Sequence, residues 1–134
     1  MLFDRFNLSE DIFDILFATA QQKLVGKLLI MYIKENEGEI TKTEMSLFAT
    51  ALHEGKYLFS GELINLPAKE VKIKYNKRQF YDRILTPSKS MGLIDYDLYK
   101  KTYRISENFN KEMTKIGLLW IRELRKPSLK LKKK

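Results

Sequence analysis

The chain has no cysteine, one histidine and three prolines in 134 residues. The missing cysteine excludes a disulfide framework and any thiolate metal site. With His53 alone, neither a histidine-based triad nor a histidine-rich metal site can be assembled. No glycine-rich phosphate loop is found. Long apolar runs are lacking as well: the longest, LVGKLLIMYI, is about half a membrane span and contains Lys27. The opening MLFDRFNLSED is acidic, without the basic start and small-residue cleavage site of a secretory signal. The expectation is a soluble, cytoplasmic protein with no membrane association, no cofactor, no metal and no small-molecule ligand.

What is present is globular in composition, with 44% apolar and 31% charged residues. The length suits one domain. The net charge of +8 is unevenly spread. Residues 1–66 carry 6 Lys/Arg against 10 Asp/Glu, and residues 67–134 carry 19 against 7. One half of the chain is therefore built to attract polyanions.

Three helix starts share one device, a capping side chain bracketed by apolar residues. Ser9 is expected to cap the first, with Leu8 and Phe13 as its staple. Phe13, Phe17, Ala20, Leu24, Leu28 and Met31 then recur at helical spacing as far as Glu37-Gly38, in one helix or in two with a break near Gln21-Gln22. Thr41 is the second cap, with Glu44 completing a capping box and Ile40 and Met45 as staple. Its helix, 42–54, stops at Gly55, with Leu47, Phe48, Ala51 and Leu52 as the buried side. KYLFSGELIN, 56–65, is ambiguous between loop and short strand. Pro67 suits the first turn of a short helix, 67–73, with Ala68 and Val71 facing inward. Asn76 is the third cap, with Gln79 at the third helical position and Tyr75 and Phe80 as staple. The two helices and the Lys74-Tyr75 turn together make a helix-turn-helix over about 67–86.

Thr86-Pro87 should end this last helix, because the residue before a proline avoids the α region. A second turn, 87–91, would then close at Gly92. Beyond it the period changes to two: LIDY (93–96) and TYRIS (102–106) form a hairpin around a polar turn. A final helix spans 108–125, with Phe109, Met113, Ile116, Trp120 and Leu124 along one stripe, expected to pack within the chain or across a dimer. Lys126-Pro127 ends it, and 127–134 is a basic tail.

The succession of a short helix, YNKRQFYDRIL, SKSMGLIDYD and TYRIS resembles the winged helix-turn-helix superfamily over about 67–106. The phrase MGLIDYD…KKTYRIS is similar to that superfamily's passage from recognition helix into wing. The resemblance implies a mainly α fold with a small β-hairpin wing (α+β), carrying extra N-terminal and C-terminal helices within one domain, 1–126. The long N-terminal region departs from the common pattern, and 42–54 is the favoured first helix of the motif. The resemblance also implies wing contacts to the DNA backbone or minor groove.

The recognition helix would present Lys77, Arg78, Gln79, Asp82 and Arg83. Arginine reads guanine bidentately and glutamine reads adenine. Arg78, Gln79 and Arg83 are the candidates for bases or nearby phosphates, and Lys77 with the helix N-terminus for a phosphate. A solvated Arg78–Asp82 pair is the competing reading. Lys74, Asn76 and Lys89 flank the helix and complete this set. Lys100, Lys101 and Arg104 stand at the wing, and Lys130, Lys132, Lys133 and Lys134 in the tail. Glu35, Glu37 and Glu39, and likewise Asp95 and Asp97, read as solvated carboxylates rather than metal ligands. No cluster activates Tyr81 or Tyr99 as a nucleophile, so no enzymatic activity is expected. The expected function is sequence-specific binding of double-stranded DNA by a homodimeric transcriptional regulator. The alternatives are a protein–protein scaffold module and a plasmid or virus replication or partition protein.

Overall fold

The computed structural model describes residues 3–60 and 70–129. It is a mixed α+β structure. A short helix α1 (Ile12–Leu16) precedes a long α2 (Ala20–Glu35), and a strand β1 (Glu39–Thr41) leads into α3 (Lys42–Glu54). Strands β2 (Tyr57–Ser60) and β3 (Glu70–Ile73) follow. The next helical run is α4 (Lys77–Phe80), a π-turn (Tyr81–Leu85) and α5 (Thr86–Ser90). Strands β4 (Ile94–Asp97) and β5 (Thr102–Ile105) lead to α6 (Asn108–Leu124).

The N-terminal helices differ from expectation in their caps. Asp11, not Ser9, caps α1, its carboxylate accepting from the Phe13 N–H. Ser9 instead accepts from the Asp11 N–H and donates to Asp14. The break falls at 17–19 rather than at Gln21-Gln22, because Thr19 supplies the cap of α2 by accepting from the Gln22 N–H. Lys23–Asp14 and Lys27–Asp11 pairs, each at 3.6 Å, lie between the two helices. Phe17 turns inward onto Gly26, where an added Cβ would stand 2.5 Å from its ring.

The capping box of Thr41 and Glu44 forms as the sequence predicts, and Gly55 closes α3 at φ 68°. Met45, Phe48, Ala49 and Leu52 are buried, spaced three and four apart. Leu47, expected on that side, is 62% exposed because it lies about 140–160° round the helix from Met45, Ala49 and Leu52. Phe48 stacks on Tyr32 at 4.8 Å and meets Phe80 edge-on at 5.7 Å. Each such ring contributes roughly 1.5–3 kcal/mol through burial.

The described part of the expected helix 67–73, residues 70–73, is not helical. Glu70–Ile73 is a strand, paired antiparallel with Tyr57–Ser60, so that Tyr57 faces Ile73 and Ser60 faces Glu70. The alternation Val71, Ile73, Tyr75 against Lys72, Lys74 has a period of two, which outweighs the single helical signal of Pro67. Pro67 and Ala68 lie outside the described residues. Among the described residues the helix preceding the 77–90 run is therefore α3, with the paired strands β2 and β3 between them.

The second sheet has the order β1-β5-β4, all antiparallel. Ile40 faces Tyr103, and Tyr103 faces Tyr96, on the side that covers the core. The core itself joins α2, α3, the 77–90 run and this sheet around Leu28, Ile33, Phe48, Phe80 and Ile84.

Candidate nucleic-acid interface

The helix beginning after Asn76 is assembled from its cap outward. The Asn76 side chain accepts from the Gln79 N–H at 3.1 Å, as expected, and Tyr75 and Phe80 are both buried. Gln21 reaches the Lys74 carbonyl at 3.3 Å and so holds the preceding turn against the start of α2.

The run does not break at Thr86. Thr86 keeps α geometry at φ −59° and ψ −49°, and its N–H donates to the Tyr81 carbonyl five residues back. In a regular α-helix the Pro87 ring would press on the Arg83 carbonyl. The wider π-turn moves that carbonyl away, and the chain passes into α5 with Pro87 in its first turn. Ser88, 2% exposed, donates to the Ile84 carbonyl at 2.6 Å and leaves no buried hydroxyl unsatisfied. The expectation of a helix kinked or broken at Thr86 is thus corrected: the irregularity lies within 81–85, and the helix carries on.

The widened turn also alters which side chains share a side. Five residues of ordinary α-helix carry Arg83 about 140° round from Arg78. The π-turn reduces that offset and draws Arg83 toward the side of Arg78 and Gln79. All three are exposed, while Phe80, Ile84 and Leu85 are buried behind them. Arg78 Nε stands 3.9 Å from Asp82, an exposed i,i+4 pair of little energetic weight.

Lys77 is differently placed from the solvent-facing residue expected. Its Nζ donates to Thr50 Oγ1 at 2.9 Å and its N–H to His53 Nδ1 at 3.1 Å. The first N–H of the helix is therefore satisfied from α3, which counts against the helix N-terminus as an open phosphate cradle. His53 takes a structural role: Nδ1 accepts, so this geometry assigns its proton to Nε2.

The hairpin is pinned at its tip by Asp97, whose Oδ1 accepts from the Tyr99 and Lys100 N–H groups at 2.9 and 3.1 Å. The backbone bonds, first that from Lys100, hold its carboxyl below the ordinary value of 3.8. Lys101 takes φ 53°, and its carbonyl accepts from the Lys42 N–H at 2.9 Å, tying the tip to the start of α3. Lys42, which the sequence reading did not single out, thereby joins Lys89 in lining a shallow groove of about 530 Å³ beside the hairpin. Its only advance signal was its position just after the Thr41 cap. Lys89 lies 5.7 Å from the Tyr96 ring centroid, bridging the end of α5 and the sheet.

Arg104 is set apart from this basic group. The strand register places it between Glu39 and Asp95, on the outer side of the sheet with Asp97. Those carboxylates have polar partners: Glu39 accepts from Thr102, and Asp95 from Asn108. Among the described residues no group of three or more His, Asp or Glu side chains is gathered in a way that would hold a metal ion. No described helix is long and apolar enough to cross a membrane.

Arg78, Gln79 and Arg83 are therefore all exposed on the 77–90 helix. Lys42 and Lys89 gather beside the hairpin, with Lys100 and Lys101 exposed at its tip. Lys130, Lys132, Lys133 and Lys134 lie outside the described residues. No family model matches the chain, and neither a curated protein nor a solved structure matches it.

Proposed function

We propose that the protein binds double-stranded DNA sequence-specifically as a winged helix-turn-helix transcriptional regulator. The single observation that carries the reading is the 77–90 helix. It is anchored by Phe80, Ile84 and Leu85, presents Arg78, Gln79 and Arg83 outward, and is followed directly by a hairpin tipped with Lys100 and Lys101. The succession α2, β1, α3, 77–90 helix, β4, β5, with β1 joining β5, supports a winged-helix reading of the fold. The paired strands β2 and β3 are an addition to that plan. In the proposed complex the 77–90 helix enters the major groove, Arg78 and Gln79 meet base edges, and Arg83, Lys42 and Lys89 meet phosphates. Lys100 and Lys101 follow the adjacent backbone. Arg104, flanked by carboxylates, is left out of the contact.

The test is anisotropy of labelled duplexes at several salt concentrations, using sequences recovered from a random pool. Affinity should fall steeply with salt, each phosphate contact adding about 0.9 to the log–log slope. Arg78→Ala should cost roughly 1–3 kcal/mol on the selected sequence and far less on random DNA. Lack of duplex binding at low salt would overturn the reading.

A further inference from the structure

Of the described helices, α6 alone has no buried residue. Phe109 packs on the core and Met113 is half-buried, but the stripe expected to pack within the chain then runs out into solvent. Ile116, Leu119, Trp120, Ile121 and Leu124 are each 43–65% exposed. At about 100° per residue they share one broad side of the helix, with polar residues and the 61% exposed Leu118 behind. We infer that this side is covered by α6 of a second copy of the chain, the two helices running antiparallel and crossing near Leu119. The inference does not depend on DNA binding and is tested without DNA.

Three features select this occupant. The first is Gly117, placed on the apolar side in mid-helix, where an added Cβ would meet nothing within 4 Å. Glycine is among the poorest helix formers, and nothing among the described residues requires it here. A crossing near Leu119 brings Ile121 of the second copy over this position, where the missing side chain lets the backbones approach.

The second is charge. Glu112, Leu119 and Glu123 line one edge of the apolar side, with Lys115 and Lys126 just behind them. An antiparallel two-fold pair sets each edge against the same edge of the other copy. With Leu119 opposite Leu119, Glu112 meets Lys126, and Glu123, which pairs with Lys126 of its own chain at 2.9 Å, also comes within reach of Lys115 of the second copy. A parallel pair would set that edge against Asn110, Thr114 and Ile121 with Arg125 just behind them, one cation where the antiparallel pair offers Lys115 and Lys126.

The third is size. The five exposed apolar residues present on the order of 500 Å² per copy, so a pair would cover about 1,000 Å², where specific interfaces begin.

Sedimentation of the full chain without DNA should give twice 15.9 kDa at micromolar concentration. Trp120→Lys should weaken association at least tenfold. Glu123→Lys should weaken it, and adding Lys115→Glu should restore it. Because the protein has no cysteine, Leu119→Cys should form a disulfide-linked dimer on mild oxidation, and Leu124→Cys should not. A mass of 15.9 kDa at every concentration, as when the chain's own N-terminal segment covers α6, would overturn the inference. Cross-linking through Leu124→Cys and not Leu119→Cys would overturn the antiparallel pairing. Loss of DNA binding with the dimer intact would count against the DNA reading alone.

Discussion

The backbone N–H of Lys77 donates to Nδ1 of His53 at 3.1 Å, joining the first residue of the proposed recognition helix to the last turn of α3. A second bond, from Lys77 Nζ to Thr50 Oγ1, runs alongside it. These bonds fix the angle between two helices that otherwise meet through Phe48 and Phe80. His53→Ala should cost about 0.5–1.5 kcal/mol in urea denaturation, the usual worth of one hydrogen bond. His53→Gln, which keeps an acceptor, should recover part of this. An unchanged midpoint in His53→Ala would show that the aromatic packing alone sets the angle.

Pro87 and the π-turn make a second coupled pair. Pro87→Ala restores an N–H and removes the ring that would press on the Arg83 carbonyl of a regular α-helix. The 81–85 segment should then return to four-residue hydrogen bonding, visible in the amide exchange and carbonyl shifts of 81–87. Arg83 would rotate away from Arg78 and Gln79, and affinity for the selected duplex should fall about tenfold, or 1.4 kcal/mol. A π-turn that persists in Pro87→Ala would mean that the burial of Ile84, Leu85 and Ser88 holds it instead.

This segment also marks the limit of what the sequence made legible. Thr41, Gly55, Asn76 and both strands of the β4–β5 hairpin could be read in advance because each rests on a local rule of caps or alternation. Pro87 was read by a local rule too, yet the widened turn and the buried side around Ile84 outweighed it. The strand Glu70–Ile73 was missed because Pro67, a local signal for a helix start, was weighed above the short period-two alternation of 71–75, whose pairing with Tyr57–Ser60 is long-range. Within the proposed interface, Arg78, Gln79 and Arg83 followed from helix spacing alone. The inward tie of Lys77, the screened position of Arg104 and the arrival of Lys42 all depend on long-range pairing, which a sequence pattern does not contain.

Asp97 gives the hairpin tip a pH dependence of definite sign. The Lys100 and Tyr99 N–H groups hold its carboxyl below 3.8 in the folded protein. Its stabilising contribution is therefore complete above the ordinary carboxylate range and is lost as pH falls through the lowered value. In a carboxylate NMR titration Asp97 should protonate below 3.8. Over the same range the amide signals of Tyr99 and Lys100 should shift, and in Asp97→Ala that transition should vanish. A carboxyl that titrates at its ordinary value would mean that the tip is not held by these bonds in solution.

Gly92 decides where both the hairpin and α6 leave the 77–90 helix. Its φ is 82°, and a Cβ there would stand 2.8 Å from the Phe109 nitrogen and 3.0 Å from the Asn108 carbonyl carbon. The same contact carries a bond from the Phe109 N–H to the Gly92 carbonyl at 3.0 Å, which starts α6. Gly92→Ala thus combines left-handed backbone strain with a clash against backbone that cannot yield, together about 2–4 kcal/mol. Gly38 provides the control: it has φ 85° with nothing within 4 Å of an added Cβ. Gly38→Ala should lose only the strain, about 1–2 kcal/mol. Thermal unfolding of the two variants separates the contributions. The Gly92 variant should also weaken self-association, because α6 can no longer start against the Gly92 carbonyl. Equal loss in both variants would show that the helix end moves aside, and that α6 is held by Phe109 in the core rather than by its contact with Gly92.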